Sequence, residues 1–127
     1  MNANDSFDVI PSGAALGADI AGLDLTQEID SAVFDRVIDA WDKHLVLRFR
    51  DQDITEDQFV RFSRYFGGLD KAPTRPVNGS YHPSRKEINV VSNIVQGGVP
   101  IGGLGNSELV WHQDMTYKDL PPKASIL

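Results

Sequence analysis

The segment from Trp111 to Tyr117 contains the pair of side chains best suited to chemistry. It has the sequence W-H-Q-D-M-T-Y, which places His112 two residues before Asp114. We predict a β-strand over residues 109–117, and side chains at this spacing on a strand project to the same face. An imidazole beside a carboxylate can supply two adjacent ligands to one metal ion, as in the 2-His-1-carboxylate triad of non-haem Fe(II) oxygenases. The H-x-D spacing is common, so it favours a metal site only weakly when taken alone.

The other candidate ligands and nucleophiles are few. The sequence contains no cysteine, which excludes disulfides, thiolate zinc sites, iron–sulfur clusters and cysteine nucleophiles. Of the three histidines, His44 falls between a predicted helix and a predicted strand, where a capping or packing role is expected. His82 falls in a long polar segment, where a solvated loop histidine is the expected role. No Ser-His-Asp arrangement is recognisable.

A glycine-rich stretch, GGVPIGGLG, covers residues 97–105. It contains neither G-K-[ST] nor G-x-G-x-x-G, and it precedes a predicted strand rather than a helix. We therefore reject a phosphate-binding loop and expect a flexible lid over the metal site.

Two helices are predicted before the candidate site. Residues 31–43 carry apolar side chains at i, i+4 and i+8, with Asp30 or Ser31 available as a cap. Thr55 and Gln58 match a capping box, which opens a second helix that we expect to end at Gly67-Gly68.

Short strands and long loops make up the rest of the predicted structure. Two strands joined by a turn at residues 11–13 are predicted within residues 6–25, and a buried strand is predicted over residues 45–50. The remaining predictions are a loop over 70–86, a strand over 87–95, a loop over 97–108 and the strand over 109–117.

Length and composition limit the class of protein. The chain has 127 residues, of which 41% are hydrophobic, so it can bury the core of one domain. Its net charge of −6 disfavours binding to a nucleic-acid backbone. The first ten residues lack the pattern of a signal peptide, and no apolar run is long enough for a membrane span. We expect a cytoplasmic protein that binds neither nucleic acid nor membrane.

The motif and its surroundings resemble the TauD/TfdA family, the taurine and chlorophenoxyacetate dioxygenases. The resemblance is carried by W-H-Q-D-M-T-Y with Pro121-Pro122 after it, and by two earlier segments, IPSGAALGADIAGLDL and KHLVLRFRDQDITEDQFVRFSRYFGGL. It implies an α+β fold, a double-stranded β-helix (jelly roll) with flanking helices. Residues 1–127 would be the N-terminal portion of one such domain, truncated after its first core strands.

The resemblance also implies an activity. It predicts a dioxygenase in which Fe(II) is held by His112, Asp114 and a histidine outside these residues, with 2-oxoglutarate as cosubstrate. The expected reaction is hydroxylation by dioxygen of a small organic anion: a sulfonate, a sulfate ester or a carboxylate. Three positions match substrate contacts of taurine-type members: His82, Glu108, where those members have Asn, and the backbone N–H of Met115. For His82 and Glu108 a solvated loop position is the alternative.

One part of the family pattern is missing from these residues. The distal His ligand, and the Arg and Thr that bind 2-oxoglutarate, lie beyond the position that matches Leu127. The alternative hypothesis is therefore a non-catalytic remnant or an interaction module that completes its sheet with another chain. A homo-oligomer is left open.

Overall fold

The structure is a computed structural model that describes residues 6–71, 84–102 and 111–127. It divides into two compact units, Met1–Tyr65 and Phe66–Leu127. Each unit is described by itself.

The first unit is built on a three-stranded sheet. Strand β1 (Asp8–Pro11) pairs antiparallel with β2 (Ala18–Ala21), and β2 pairs in parallel with β3 (Leu47–Phe49). A turn follows β1 as predicted, but it covers residues 12–17 rather than 11–13, because Pro11 belongs to β1 and Ser12 N–H donates to the carbonyl of Gly17 (2.9 Å). Because β2 and β3 are parallel, the chain must cross over between them, and helix α1 forms that crossover.

Helix α1 (Ser31–His44) confirms the first predicted helix and extends it by one residue. The predicted apolar stripe consists of Val33, Phe34, Val37, Ile38 and Trp41. The buried residues of the helix are Phe34, Val37 and Ala40, so two of them belong to that stripe. Asp30 occupies the N-cap position, but its side chain makes no cap hydrogen bond.

Helix α2 (Glu56–Arg64) begins at the predicted capping box. Gln58 N–H donates to Thr55 Oγ1 (3.3 Å), and Thr55 N–H donates to Gln58 Oε1 (2.7 Å). The helix ends before the predicted Gly67-Gly68 stop, with Tyr65 at its C-cap. Phe62 packs edge-on against Phe49 of β3, with ring centroids 5.2 Å apart, so α2 covers one face of the sheet.

The core of the first unit is aliphatic and aromatic. Its buried members are Phe7, Ala18, Ile20, Leu23, Leu25, Ile29, Phe34, Val37, Ala40, Val60 and Phe62. The prediction of a buried strand over 45–50 is wrong in its burial: Leu47 and Phe49 are half-buried and Arg48 is exposed. The reason is that β3 lies at the edge of this three-stranded sheet.

The second unit contains a short hairpin, β4 (Val95–Gln96) with β5 (Val99–Pro100). Gly97 and Gly98 connect the strands with φ angles of 56° and 82°, as a type I′ turn requires at both of its central residues. The predicted strand over 87–95 is wrong except at Val95 and at Asn89, which forms an isolated β-bridge, and the predicted loop over 97–108 is wrong where it contains β5. Residues 91–94 are assigned to no strand, and the carbonyl of Ile94 accepts a hydrogen bond from Ile101 N–H (3.0 Å) next to the hairpin.

The described part of the predicted 70–86 loop, residues 70–71 and 84–86, contains neither helix nor strand. In the described ranges, neither helix has the length and apolar character that a membrane crossing requires.

Candidate metal site

The backbone at His112 is irregular and a turn begins at Asp114, so the prediction of a strand over 109–117 is wrong in its described part. Residues 114–117 form turns, and Lys118 N–H closes them on the carbonyl of Met115 (3.0 Å). Met115 adopts a left-handed φ of 53°, which no strand residue has. The described residues give this segment no partner strand, and a local turn satisfies backbone groups that a strand would leave unpaired.

The turn nevertheless brings the two predicted ligands together. His112 Nε2 lies 3.0 Å from Asp114 Oδ1. The two side chains are 60% and 56% exposed, so an ion can reach both donor atoms. Their role as ligands remains a prediction, and the side-by-side placement on which it depends is present.

A shallow cavity of about 280 Å³ is lined by both side chains. Its other wall is the segment from Pro122 to Ser125. Ser125 Oγ donates a hydrogen bond to Asp114 Oδ2 (3.1 Å), so the two carboxylate oxygens have different partners.

The donor set fits a first-row divalent metal ion. One imidazole nitrogen and one carboxylate oxygen are two of the three donors that hold non-haem Fe(II). Within residues 6–71, 84–102 and 111–127, no group of three or more His, Cys, Asp or Glu side chains could hold a metal ion. Among the described residues, the predicted ligands are therefore two, and a complete metal site would need a further donor.

An ion pair fixes the end of the turn. Lys118 Nζ lies 3.0 Å from Asp70 Oδ1, and the two residues are 48 positions apart in sequence. The pair links Lys118, which follows the turn, to Asp70, which lies after the end of α2.

The other predicted site residues are distributed as follows. The carbonyl of Met115 accepts the turn hydrogen bond, and its side chain is half-buried. His82 and Glu108 lie outside the described residues. His44 ends α1, and its carbonyl accepts from the N–H groups of Gly17 and Val46 (both 2.8 Å), which gives it the structural role expected for it.

The first unit has a larger concavity of about 650 Å³, lined in part by Asp19 and Asp24. Both carboxylates already have partners. Arg48 binds Asp19, and Thr26 N–H donates to Asp24 (2.8 Å). Hydrogen bonding by Arg48 and by Thr26 lowers the pKa of Asp19 and of Asp24, respectively. These contacts stabilise the fold, and the residues that line this concavity include no histidine, so the His112–Asp114 pair is the better candidate.

Sequence reasoning missed Ser125. It lies 11 residues after Asp114 in an unremarkable segment, PPKASIL, and no spacing rule connects the two positions. Only the path of the chain after Pro122 brings its hydroxyl to the carboxylate.

One imidazole beside one carboxylate is part of the ligand set of mononuclear non-haem iron enzymes. The chain matches the family model described as "Taurine catabolism dioxygenase TauD, TfdA family" over residues 8–127. It belongs to the TauD/TfdA family.

Similar proteins agree with this assignment. Pentalenolactone F synthase of Streptomyces avermitilis is 36% identical over 108 residues, which cover 84% of this chain and 34% of that protein. The alpha-ketoglutarate-dependent sulfate ester dioxygenase of Pseudomonas putida is 32% identical over 121 residues, which cover 95% of this chain and 36% of that protein. The chain thus spans about a third of the length of these relatives.

A solved structure supports the fold. A taurine dioxygenase from Burkholderia xenovorans is 30% identical and superposes with a TM-score of 0.60, over 72% of this chain and 31% of that chain. The chain shares the fold of this dioxygenase over that length, with both sheets and helices as predicted. The jelly-roll core itself remains a prediction, because the described strands are those of the three-stranded sheet and the hairpin.

Proposed function

We propose that the chain is part of an Fe(II)- and 2-oxoglutarate-dependent dioxygenase that hydroxylates a small organic anion. The observation that carries the proposal is the 3.0 Å approach of His112 Nε2 to Asp114 Oδ1 in a member of the TauD/TfdA family. Family membership supports the chemistry, and the geometry gives this chain a donor pair for it.

His112 and Asp114 would be the residues of this chain that hold the metal. His112 would bind through Nε2, which requires the neutral ring with its proton on Nδ1. Asp114 would bind as the carboxylate. When bound, Fe(II) with 2-oxoglutarate and dioxygen supplies the oxidising power for hydroxylation.

The remaining ligands of the proposed site come from outside these 127 residues. The family pattern assigns a second histidine to the metal, and an Arg and a Thr to the carboxylate of 2-oxoglutarate. The exposure of His112 and Asp114 is compatible with this arrangement, since more than half of each side chain is open to further groups.

The proposed substrate is a sulfonate, a sulfate ester or a carboxylate. The printed name of the Pseudomonas putida relative identifies that protein as acting on sulfate esters, which supports the class of anion. Within this chain, we assign substrate contacts to His82, to Glu108 and to the backbone N–H of Met115. Met115 follows Asp114 directly, so an anion bound at its N–H would lie next to the metal.

The proposal is tested on the protein expressed from its complete reading frame. His112→Ala and Asp114→Ala should each abolish succinate formation from 2-oxoglutarate in the presence of substrate and should abolish binding of Mn(II). His44→Ala is the matched control, because His44 contributes to the fold through its carbonyl, and we expect its turnover to stay unchanged. Retained turnover in both His112→Ala and Asp114→Ala would overturn the assignment. If the wild type neither binds metal nor forms succinate, the non-catalytic interaction module is the hypothesis that remains.

A further inference from the structure

The carboxylate of Asp114 is held from two sides. Oδ1 faces His112 Nε2 at 3.0 Å, and Oδ2 accepts a hydrogen bond from Ser125 Oγ at 3.1 Å. Asp114 is 56% exposed, so burial does little to fix the direction of its carboxylate.

The path of the backbone over residues 121–125 determines where the hydroxyl of Ser125 lies. Pro121 and Pro122 restrict the backbone that leads into this segment, because proline fixes its own φ and restricts the residue before it. Burial then alternates from residue to residue over 121–127: Ala124 and Ile126 are half-buried and Ser125 is exposed. Ser125 therefore projects from the face opposite to its apolar neighbours, and there it meets Asp114.

The two contacts to Asp114 respond differently to a metal ion. The contact with His112 requires a proton on Nε2 if the ring donates, and a ring nitrogen bound to a metal carries no such proton. The hydrogen bond from Ser125 Oγ to Asp114 Oδ2 does not involve His112. Among the described contacts of the Asp114 carboxylate, it is the one that metal binding at His112 leaves intact.

We propose that Ser125 is a positioning residue for the metal site. Its hydroxyl holds Oδ2 of Asp114 and so keeps Oδ1 directed to the side on which His112 lies. The inference rests on the proposed function, because it assumes that Asp114 is a metal ligand.

The size of the expected effect follows from two general observations. Terminal torsions of Asp side chains are broad, so an exposed carboxylate without a partner samples many directions. Hydrogen bonds to a carboxylate are charge-assisted, and losing a partner that orients a metal ligand typically weakens metal binding by about 10- to 100-fold.

The experiment compares Ser125→Thr with Ser125→Val and Ser125→Ala, in the protein expressed from its complete reading frame. Thr retains the hydroxyl, and Val has nearly the shape of Thr without it. The dissociation constant for Mn(II) is measured by calorimetry without cosubstrate, so the result does not depend on turnover. We expect Val and Ala to weaken binding by about 10- to 100-fold, and Thr to restore it to within about threefold of wild type, since the hydroxyl is again available.

Two controls separate a positioning effect from a structural one. Ser63→Ala removes a hydroxyl that donates to the carbonyl of Phe59 (2.8 Å) within α2, and its affinity for Mn(II) should equal that of wild type. The thermal unfolding midpoint without metal should be the same for Ser125→Thr and Ser125→Val. If Ser125→Ala does not fold, the Thr–Val pair alone decides.

The outcomes also separate the inference from the proposed function. Equal affinity for Mn(II) in Ser125→Thr and Ser125→Val, together with loss of binding in Asp114→Ala, would overturn the role of Ser125 and leave the metal site standing. Unchanged binding in Asp114→Ala would overturn the metal site, and the inference with it.

Discussion

Asp19 of β2 and Arg48 of β3 are cross-strand partners whose side chains form a two-point ion pair. Their Cα atoms stand opposite each other in the parallel register, and the carboxylate accepts from Arg48 Nε (2.5 Å) and Nη2 (2.8 Å). Arg50 Nε lies 3.6 Å from the same carboxylate. The hydrogen bond with Arg48 lowers the pKa of Asp19 and raises that of Arg48. The pair therefore favours the register that places β3 beside β2.

The lowered pKa of Asp19 predicts a dependence of stability on pH. A carboxylate whose pKa is lower in the folded state stabilises the fold above its unfolded pKa, here near 3.8, and this stability is lost as pH falls through the folded pKa. Asp19→Asn should therefore lower the thermal unfolding midpoint at pH 7, and this deficit should shrink as the pH falls below 3.8. Because the pair is exposed, added salt should reduce the difference at pH 7. Asp35→Asn, at an exposed position of α1, is the control. A deficit that persists unchanged to pH 2 would contradict the prediction.

The capping box of α2 makes a second prediction. Thr55→Ala removes the acceptor for Gln58 N–H, which should lower the free energy of unfolding by about 1 kcal/mol. Thr55→Ser keeps a hydroxyl at the same position and should retain most of that stability. Urea denaturation measures both variants, and equal stability of the Ala and Ser variants would argue against a stabilising cap.

Removal of the Arg61 side chain should lower the free energy of unfolding by more than removal of the Thr55 cap. Its Nη2 donates to the carbonyls of Leu25, Thr26 and Gln27 (3.1, 2.7 and 3.0 Å), so one guanidinium holds the loop after β2 against α2. Arg61→Ala should lower the free energy of unfolding by about 1.5–3 kcal/mol, the usual range for a hydrogen bond to a charged group. Arg61→Lys should recover only part of it, because an ammonium lacks the planar donors. Arg64→Lys, in the exposed last turn of α2, should cost little in the same urea titration.

The helices could be predicted from the sequence because their signals are local. The apolar spacing around Val37 and the Thr55–Gln58 box each lie within a few residues of the structure that they determine. The strands predicted over 87–95 and 109–117 are wrong for the opposite reason. A strand depends on pairing with another strand that its own sequence does not specify, and neither of the described sheets includes residues 111–117.

The sequence predicts which two residues form the candidate site, but it does not predict their backbone conformation. Strand alternation was the argument for placing His112 beside Asp114, and a turn achieves the same approach. Ser125 could not be predicted, because its contact with Asp114 depends on the path of the intervening 11 residues rather than on any spacing.

The last prediction concerns Met115, whose left-handed backbone directly follows the proposed ligand Asp114. A φ of 53° costs a residue with a Cβ atom about 1–2 kcal/mol, and it is least accessible to β-branched residues. Met115→Gly and Met115→Val both remove the Met side chain, but only Gly adopts this φ without cost. Val should shift the turn and separate His112 from Asp114.

We therefore expect Met115→Val to weaken the binding of Mn(II) by at least about tenfold, and Met115→Gly to bind within a few-fold of wild type. A tenfold difference in affinity corresponds to about 1.4 kcal/mol, which lies within the usual cost of strained backbone. Since both variants lose the same side-chain contacts, a difference between them reports the backbone alone. If the Val and Gly variants lose affinity for Mn(II) equally, the side chain of Met115 and not the left-handed turn supports the site. If neither weakens it, the approach of Asp114 to His112 does not depend on this turn at all.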